Sequence, residues 1–168
     1  SRRYVSPSRA EALRRILAEG IKAVGVFVDE SPERIAVLVW LGVIDVVQLH
    51  GHENNTYISR LRTLTDKPII QAFKVSSPSD LAKARESTAD FVMLDSGTGT
   101  GQAFNWSLIH DFTRPFFLAG GLTPENVAAA IHEITPFAVD VSSGIETQGM
   151  KDRAKMAAFV EAVRKEEL

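Results

Sequence analysis

The residues that could do chemistry in this chain stand at the ends of short apolar runs. Asp95 follows Phe91 to Leu94 and leads into Gly97-Thr98-Gly99-Thr100-Gly101. His50 and Gly51 follow Val46 to Leu49, Gly120-Gly121 follow Phe116 to Ala119, and Ser142-Ser143-Gly144 follow Phe137 to Val141. A lone carboxylate beside a glycine loop suits a general acid, whose raised pKa partial burial can supply. From position alone, a turn-capping aspartate is the more frequent role. Small residues let backbone N–H groups approach a phosphate closely. Gly120-Gly121 lead into Thr123-Pro124, a helix start, and a helix N-terminus favours an anion. Either loop alone reads equally well as a tight turn; the pair, after the last two runs, weighs more. His50 could polarise a substrate oxygen, although a single histidine at a strand end is more often a packing residue. Asp140 alternates with Val139 and Val141, so it faces away from them. Inside a sheet it must be hydrogen-bonded, to substrate hydroxyls or, the preferred reading, to neighbouring main chain.

Other chemistries find no support. No Gly-Lys-Ser/Thr follows the glycine loop, so it is not a P-loop, and it lacks the strand-to-helix setting of a dinucleotide fingerprint. His50 and His52 flank Gly51, a weak metal signal, while His110 and His132 add no ligand spacing. No metal is expected from these residues. Cysteine is absent, which excludes disulfides, thiolate zinc sites and cysteine nucleophiles within these residues.

The elements that must position these residues alternate. Apolar runs lie at Ala23 to Val28, Val46 to Leu49, Ile69 to Val75, Phe91 to Leu94, Phe116 to Ala119 and Phe137 to Val141. Each is short, β-branched or aromatic, and bounded by turn residues, as buried parallel strands should be. Between them come helix starts: Ser6-Pro7, Ser31-Pro32, Ser77-Pro78 and Thr123-Pro124. Gly20 and Gly42 stand where glycines close helices. The last helix is written in Met156, Phe159, Val160 and Val163. Strands alternating with helices predict an α/β fold with a parallel sheet in one domain, residues 1–168. Between Asp95 and Phe116 a loop with a short turn at Trp106 to His110 replaces a full helix, and such loops are usually functional. The period fits both an open doubly wound sheet and a (β/α)8 barrel without its first two strands. In either, ligands bind at the carboxyl ends of the strands.

At 168 residues the chain suffices for one domain. Its 45% hydrophobic and 24% charged residues are those of ordinary globular material. A net charge of -2 gives no reason to expect nucleic acid. No apolar run approaches the ~20 residues that span a bilayer, and no signal-peptide pattern opens the chain. The first residue is Ser, so something upstream is expected to have been removed, processed or left out.

With these residues in view, the chain resembles phosphoribosylanthranilate isomerase along essentially its whole length. Ser1-Arg2-Arg3-Tyr4-Val5-Ser6-Pro7 looks like the family's stretch after its second strand, and Val24-Gly25-Val26-Phe27-Val28 like its third strand. Val47-Gln48-Leu49-His50-Gly51 is similar to the fourth-strand signature, and Leu94-Asp95, Gly99-Thr100-Gly101 and Phe104-Asn105-Trp106 follow the sixth-strand region. Ala119 to Val127 resembles the seventh-strand motif. Asp140 to Glu146, with Lys151-Asp152 behind it, resembles the eighth.

The resemblance implies a (β/α)8 TIM barrel of which about six βα units, strands three to eight, are present. It implies a cofactor-free Amadori rearrangement of N-(5-phosphoribosyl)anthranilate to 1-(2-carboxyphenylamino)-1-deoxyribulose 5-phosphate, in tryptophan biosynthesis. By this analogy Asp95 is the general acid that opens the ribose ring, and Arg3 holds the anthranilate carboxylate. His50 and Asp140 bind substrate, while Gly120, Gly121, Ser142, Ser143 and Gly144 cradle the phosphate. The partner is a small phosphosugar, with neither nucleic acid nor membrane. The protein is expected in the cytoplasm as a monomer or homodimer. Gln102 and Asn105 replace the family's lysine and aspartate, and the loop from Asp95 to Gly99 is short for the family. The family's general base is a cysteine in a Lys-Ile-Cys-Gly motif on its first strand. The chain is therefore expected to lack that N-terminal strand–helix–strand segment, which puts catalysis by these residues alone in question. Two alternatives stand beside the isomerase: a non-catalytic truncated phosphosugar-binding fragment, and another phosphate-binding barrel of this pathway or of histidine synthesis.

Overall fold

A computed structural model describes residues 3–95, 106–109 and 111–166. The glycine loop, Gln102, Asn105 and His110 lie outside the described residues. The chain divides into two compact units, one of residues 1–72 and 87–90, the other of 73–86 and 91–168.

The first unit runs α1 (Pro7–Arg14), β1 (Val24–Phe27), α2 (Pro32–Trp40), β2 (Val46–Leu49), α3 (Asn55–Arg62) and most of β3 (Ile69–Lys74). Ser6 and Ser31 cap α1 and α2 by accepting the N–H of the third residue on, with proline at the first helical position, as read from sequence. Asn54 caps α3 in the same way through Tyr57 N–H, at 3.0 Å. That start carries Asn54-Asn55 in place of a Ser-Pro pair. The strands pair in parallel, Val24 with Val46 and Val47 with Ile69. Ile35, Val47, Leu49, Ile58, Leu61 and Ile69 form the core of this unit.

The second unit runs α4 (Pro78–Glu86), β4 (Phe91–Asp95), a 3-10 turn (Trp106–Ile109), β5 (Phe116–Ala119), α5 (Val127–Ile134) and β6 (Ala138–Val139). A second 3-10 turn (Ser143–Ile145), a hairpin of β7 (Glu146–Thr147) and β8 (Met150–Lys151), and α6 (Arg153–Arg164) complete it. β4, β5 and β6 are parallel neighbours, with Asp95 opposite Ala119 and Leu118 opposite Val139. The core is Leu81, Val92, Leu94, Phe116, Leu118, Val127, Ile131 and Phe159 with their neighbours. Both units are thus α/β with parallel strands.

Four expectations need correction. β1 is not buried on both faces: Val24 is 45% and Val26 59% exposed, while Phe27 packs on the core, because a strand presents alternate residues to opposite faces. α1 ends at Arg14, so Gly20, at φ 84°, belongs to a later turn rather than to the helix end. α5 begins at Val127, not Pro124, although the first helical hydrogen bond already runs from Val127 N–H to Thr123 O at 3.1 Å. The run from Phe137 to Val141 contributes only Ala138–Val139 as strand, so Asp140 stands beyond β6 and exposed, not inside a sheet.

Candidate active site

The loops after β5 and β6 meet backbone to backbone. Gly120 and Gly121 take φ 93° and 68°, left-handed values that side chains resist. Gly144 lies so close to the Leu122 carbonyl that a Cβ would stand 1.8 Å from its oxygen. Glycine there is a condition of the two loops touching. Each loop is also pinned by a side chain. Asn126 accepts Thr123 N–H at 2.8 Å and donates to Gly121 O at 3.0 Å, closing the turn on both sides. Lys151 Nζ donates to Ser142 O at 2.7 Å and to Glu146 Oε1 at 2.9 Å. Lys155 Nζ secures Glu146 O at 2.8 Å.

Lys151 reaches that position because the β7–β8 hairpin folds back over the loop. Its turn uses left-handed Gln148 and Gly149, and Asp152 then starts α6. The Asp152 carboxylate accepts Thr147 Oγ1–H at 2.7 Å and the N–H groups of Ala154 and Lys155. The Thr147 bond foremost, then those N–H groups, holds its pKa below the ordinary value. Asp152 N–H donates to Ile145 O at 2.8 Å, tying the hairpin to the turn that contains Ser143 and Gly144.

Asp95 ends β4, partly buried and in register with Ala119, the residue before the glycine pair. Its carbonyl accepts Val75 N–H at 2.8 Å. Asp140 N–H continues the β5–β6 ladder to Leu118 O at 2.8 Å, leaving its exposed side chain just past the strand. The structure therefore collects Asp95, Gly120, Gly121, Asp140 and Ser142 to Gly144 at the carboxyl ends of three neighbouring strands.

Arg3 and His50 belong to the other unit. Arg3 is exposed in a turn before α1. His50 is exposed after β2, its Nδ1 3.2 Å from the amide of buried Gln48, so it is not a core packing residue. The loop that carries it is held by Glu53, 7% exposed, whose carboxylate accepts Asp29 N–H at 2.7 Å and Gly51 N–H at 2.8 Å. A Cβ on Gly51 would meet Asp29 Oδ1 at 2.5 Å. His52 pairs with Asp29, with Nδ1 2.9 Å from Oδ2 and its backbone N–H donating to Oδ1 at 2.6 Å. That side-chain hydrogen bond raises the His52 pKa and lowers that of Asp29. Among the described residues no group of three or more His, Asp or Glu could hold a metal ion. Asp29, His52, Glu53, Asn54 and Tyr57 line a cleft of about 260 Å³. Burial foremost pushes the Tyr57 phenol up to about 12, so it stays a hydrogen-bond donor, here to Glu30 O at 2.5 Å.

Glu53, Asn126 and Lys151 were missed as supports of these loops. Lys151 and Asn126 stood inside the quoted family motifs, and Glu53 follows His50-Gly51 closely. Glu53 acts through the Asp29 N–H and Lys151 through the Ser142 carbonyl, groups that no local pattern brings near. The Asn126 bonds to Thr123 and Gly121 are local, and its place after Thr123-Pro124 was the available signal.

Residues 1–162 match the family model described as N-(5'phosphoribosyl)anthranilate (PRA) isomerase. The N-(5'-phosphoribosyl)anthranilate isomerase of Endomicrobium trichonymphae is 38% identical over 168 residues, covering 97% of this chain and 82% of its own. The crystal structure of phosphoribosyl anthranilate isomerase from Thermotoga maritima superimposes with a TM-score of 0.86 at 37% identity, over 98% of this chain and 83% of that one. A further structure of such an isomerase, in complex with reduced 1-(o-carboxyphenylamino)-1-deoxyribulose 5-phosphate, gives 0.84 at 37% identity, over 98% and 82%.

Proposed function

The chain belongs to the N-(5'-phosphoribosyl)anthranilate isomerase family, and from that premise we propose how its residues serve the family's reaction. The activity is the Amadori rearrangement of N-(5'-phosphoribosyl)anthranilate to the aminoketose phosphate, a step of tryptophan biosynthesis. The reaction gains and loses no atoms. Protonation of the ribose ring oxygen opens the ring to an iminium at C1′, loss of the C2′ proton gives an enolamine, and protonation at C1′ with loss of the C2′ hydroxyl proton leaves a ketone at C2′.

The observation that carries the assignment of roles is the meeting of the two small-residue loops beside the strand that ends in Asp95. Gly120, Gly121, Ser142, Ser143 and Gly144 bind the phosphate through main-chain N–H groups, aided by the start of α5. Asp95, one strand over, delivers the proton to the ring oxygen. Asp140, at the end of the next strand, accepts from substrate hydroxyls. In the first unit Arg3 pairs with the anthranilate carboxylate through its guanidinium fork, and His50 hydrogen-bonds a substrate oxygen. We assign no residue of this chain to accept the C2′ proton. The parallel strands read as six successive βα units of a (β/α)8 barrel, whose phosphate site conventionally follows its last two strands. No helix among the described residues is long and apolar enough to cross a membrane; a small phosphosugar substrate and the cytoplasm fit the family's metabolic role.

The test is calorimetric titration with the reduced aminoketose phosphate, alone and in the presence of inorganic phosphate. Saturable binding that phosphate displaces is the expected result. Binding that phosphate leaves untouched would remove the two loops from the reading, and absence of binding would remove the reading altogether.

A further inference from the structure

We infer that Lys151 and Asn126 are positioning residues for phosphate, acting through the peptide groups that they grip rather than by touching the ligand. The inference deepens the phosphate-loop reading above and rests on it. In a planar trans peptide the C=O and the following N–H point in opposite directions, and every peptide bond described here is trans. Lys151 Nζ, 2.7 Å from Ser142 O, therefore fixes where the Ser143 N–H points: away from the lysine. Asn126 Nδ2, 3.0 Å from Gly121 O, does the same for the Leu122 N–H.

The two grips are mechanically linked. Gly144 abuts the Leu122 carbonyl, so the loop that Asn126 holds is the one against which the loop held by Lys151 rests. Both Ser143 and Leu122 sit within the loops assigned to phosphate. Lys151 is itself held. It pairs with Glu146 at 2.9 Å, and the Glu146 main chain is secured by Lys155 at 2.8 Å. A cation tied on one side to a carboxylate and on the other to a carbonyl is arranged to orient a backbone. A lysine serving as a mobile phosphate ligand would gain nothing from those bonds. Preorganised donors bind an anion better because no reorganisation is left to do at the moment of binding.

The experiment is an amide NMR titration of the full chain with inorganic phosphate, at low and at high ionic strength. In the unaltered protein the Leu122, Ser143 and Gly144 amides are expected to shift saturably. In Lys151→Met the affinity falls about tenfold, the worth of one well-made hydrogen bond, and by the same factor at both salt concentrations. Asn126→Ala, which changes no charge, gives a comparable loss and serves where Lys151→Met folds poorly. A loss in Lys151→Met that disappears at high salt would make Lys151 a simple attracting charge and overturn the inference. Unchanged affinity in both variants would overturn it while leaving the phosphate loops in place. Absence of any shift at these amides in the unaltered protein would overturn the loop reading itself.

Discussion

Asp95 and Ala119 occupy partner positions at the carboxyl ends of β4 and β5, so a carboxylate on one strand stands beside the glycine turn that follows the other. That adjacency makes Asp95 the expected proton donor within reach of a phosphate-anchored ribose. Replacing Asp95 with Asn keeps the shape and removes the proton. Steady-state kinetics are expected to show turnover lower by roughly 10²–10⁴-fold, the usual worth of a general acid, with KM little changed. Equal losses in affinity and turnover would make Asp95 a binding residue instead. Arg3 is expected to act on affinity. Arg3→Ala should weaken ligands that carry the anthranilate carboxylate by roughly tenfold or more, the value of a charge-assisted pair, and leave inorganic phosphate binding unchanged. Parallel titrations with the two ligands check this directly.

At the scale of elements, α6 and the β7–β8 hairpin behave as a brace for the loop before them. Asp152 caps α6, accepts from Thr147, and sends its own N–H to Ile145. Asp152→Ala removes the cap and is expected to lower the urea midpoint of unfolding. It should also weaken phosphate binding, because Lys151 then sits on an untethered hairpin. A stability loss with no change in phosphate affinity would separate the cap from the loop. In the first unit the equivalent brace is Glu53, which binds two main-chain N–H groups and receives the Gln71 amide at its own carbonyl, at 2.5 Å. Ser87 completes that chain by donating to Gln71 Oε1 at 2.5 Å.

For the whole molecule, stability follows two sets of titrating groups with opposite signs. The Asp80 carboxylate accepts the Ser76 N–H, the Ser77 and Ser76 hydroxyls and the Ser77 N–H, which bring its pKa down to about 2. Asp29 and Asp152 are lowered in the same sense. Their contribution is present above the ordinary carboxyl value of 3.8 and is lost as pH falls through the depressed values. His52 is raised by Asp29, so its contribution is full below 6.5 and is lost as pH rises through the elevated value. Urea midpoints are therefore expected to be highest between these limits. In Asp29→Asn the His52 titration, followed by NMR, should return toward 6.5 and the alkaline decline should soften. A His52 titration unmoved by that substitution would mean the pair does not form in solution.

The amino-acid pattern by itself determined the alternation of parallel strands and helices. Ser6-Pro7, Ser31-Pro32 and the short β-branched runs act locally, through caps and period, and the structure follows them closely. It also determined which loops carry small residues, since Gly120, Gly121 and Gly144 are needed wherever those backbones must turn or touch. Only the tertiary structure decided that Gly144 lies against Leu122, that Lys151 grips Ser142, and that Glu53 ties the loop beside His50 to the Asp29 N–H. It likewise decided that Asp140 projects past a two-residue strand. Each of these depends on a bond or a ladder end formed with chain many residues away. Side-chain periodicity records which face a residue takes, but not which distant carbonyl or amide comes to meet it.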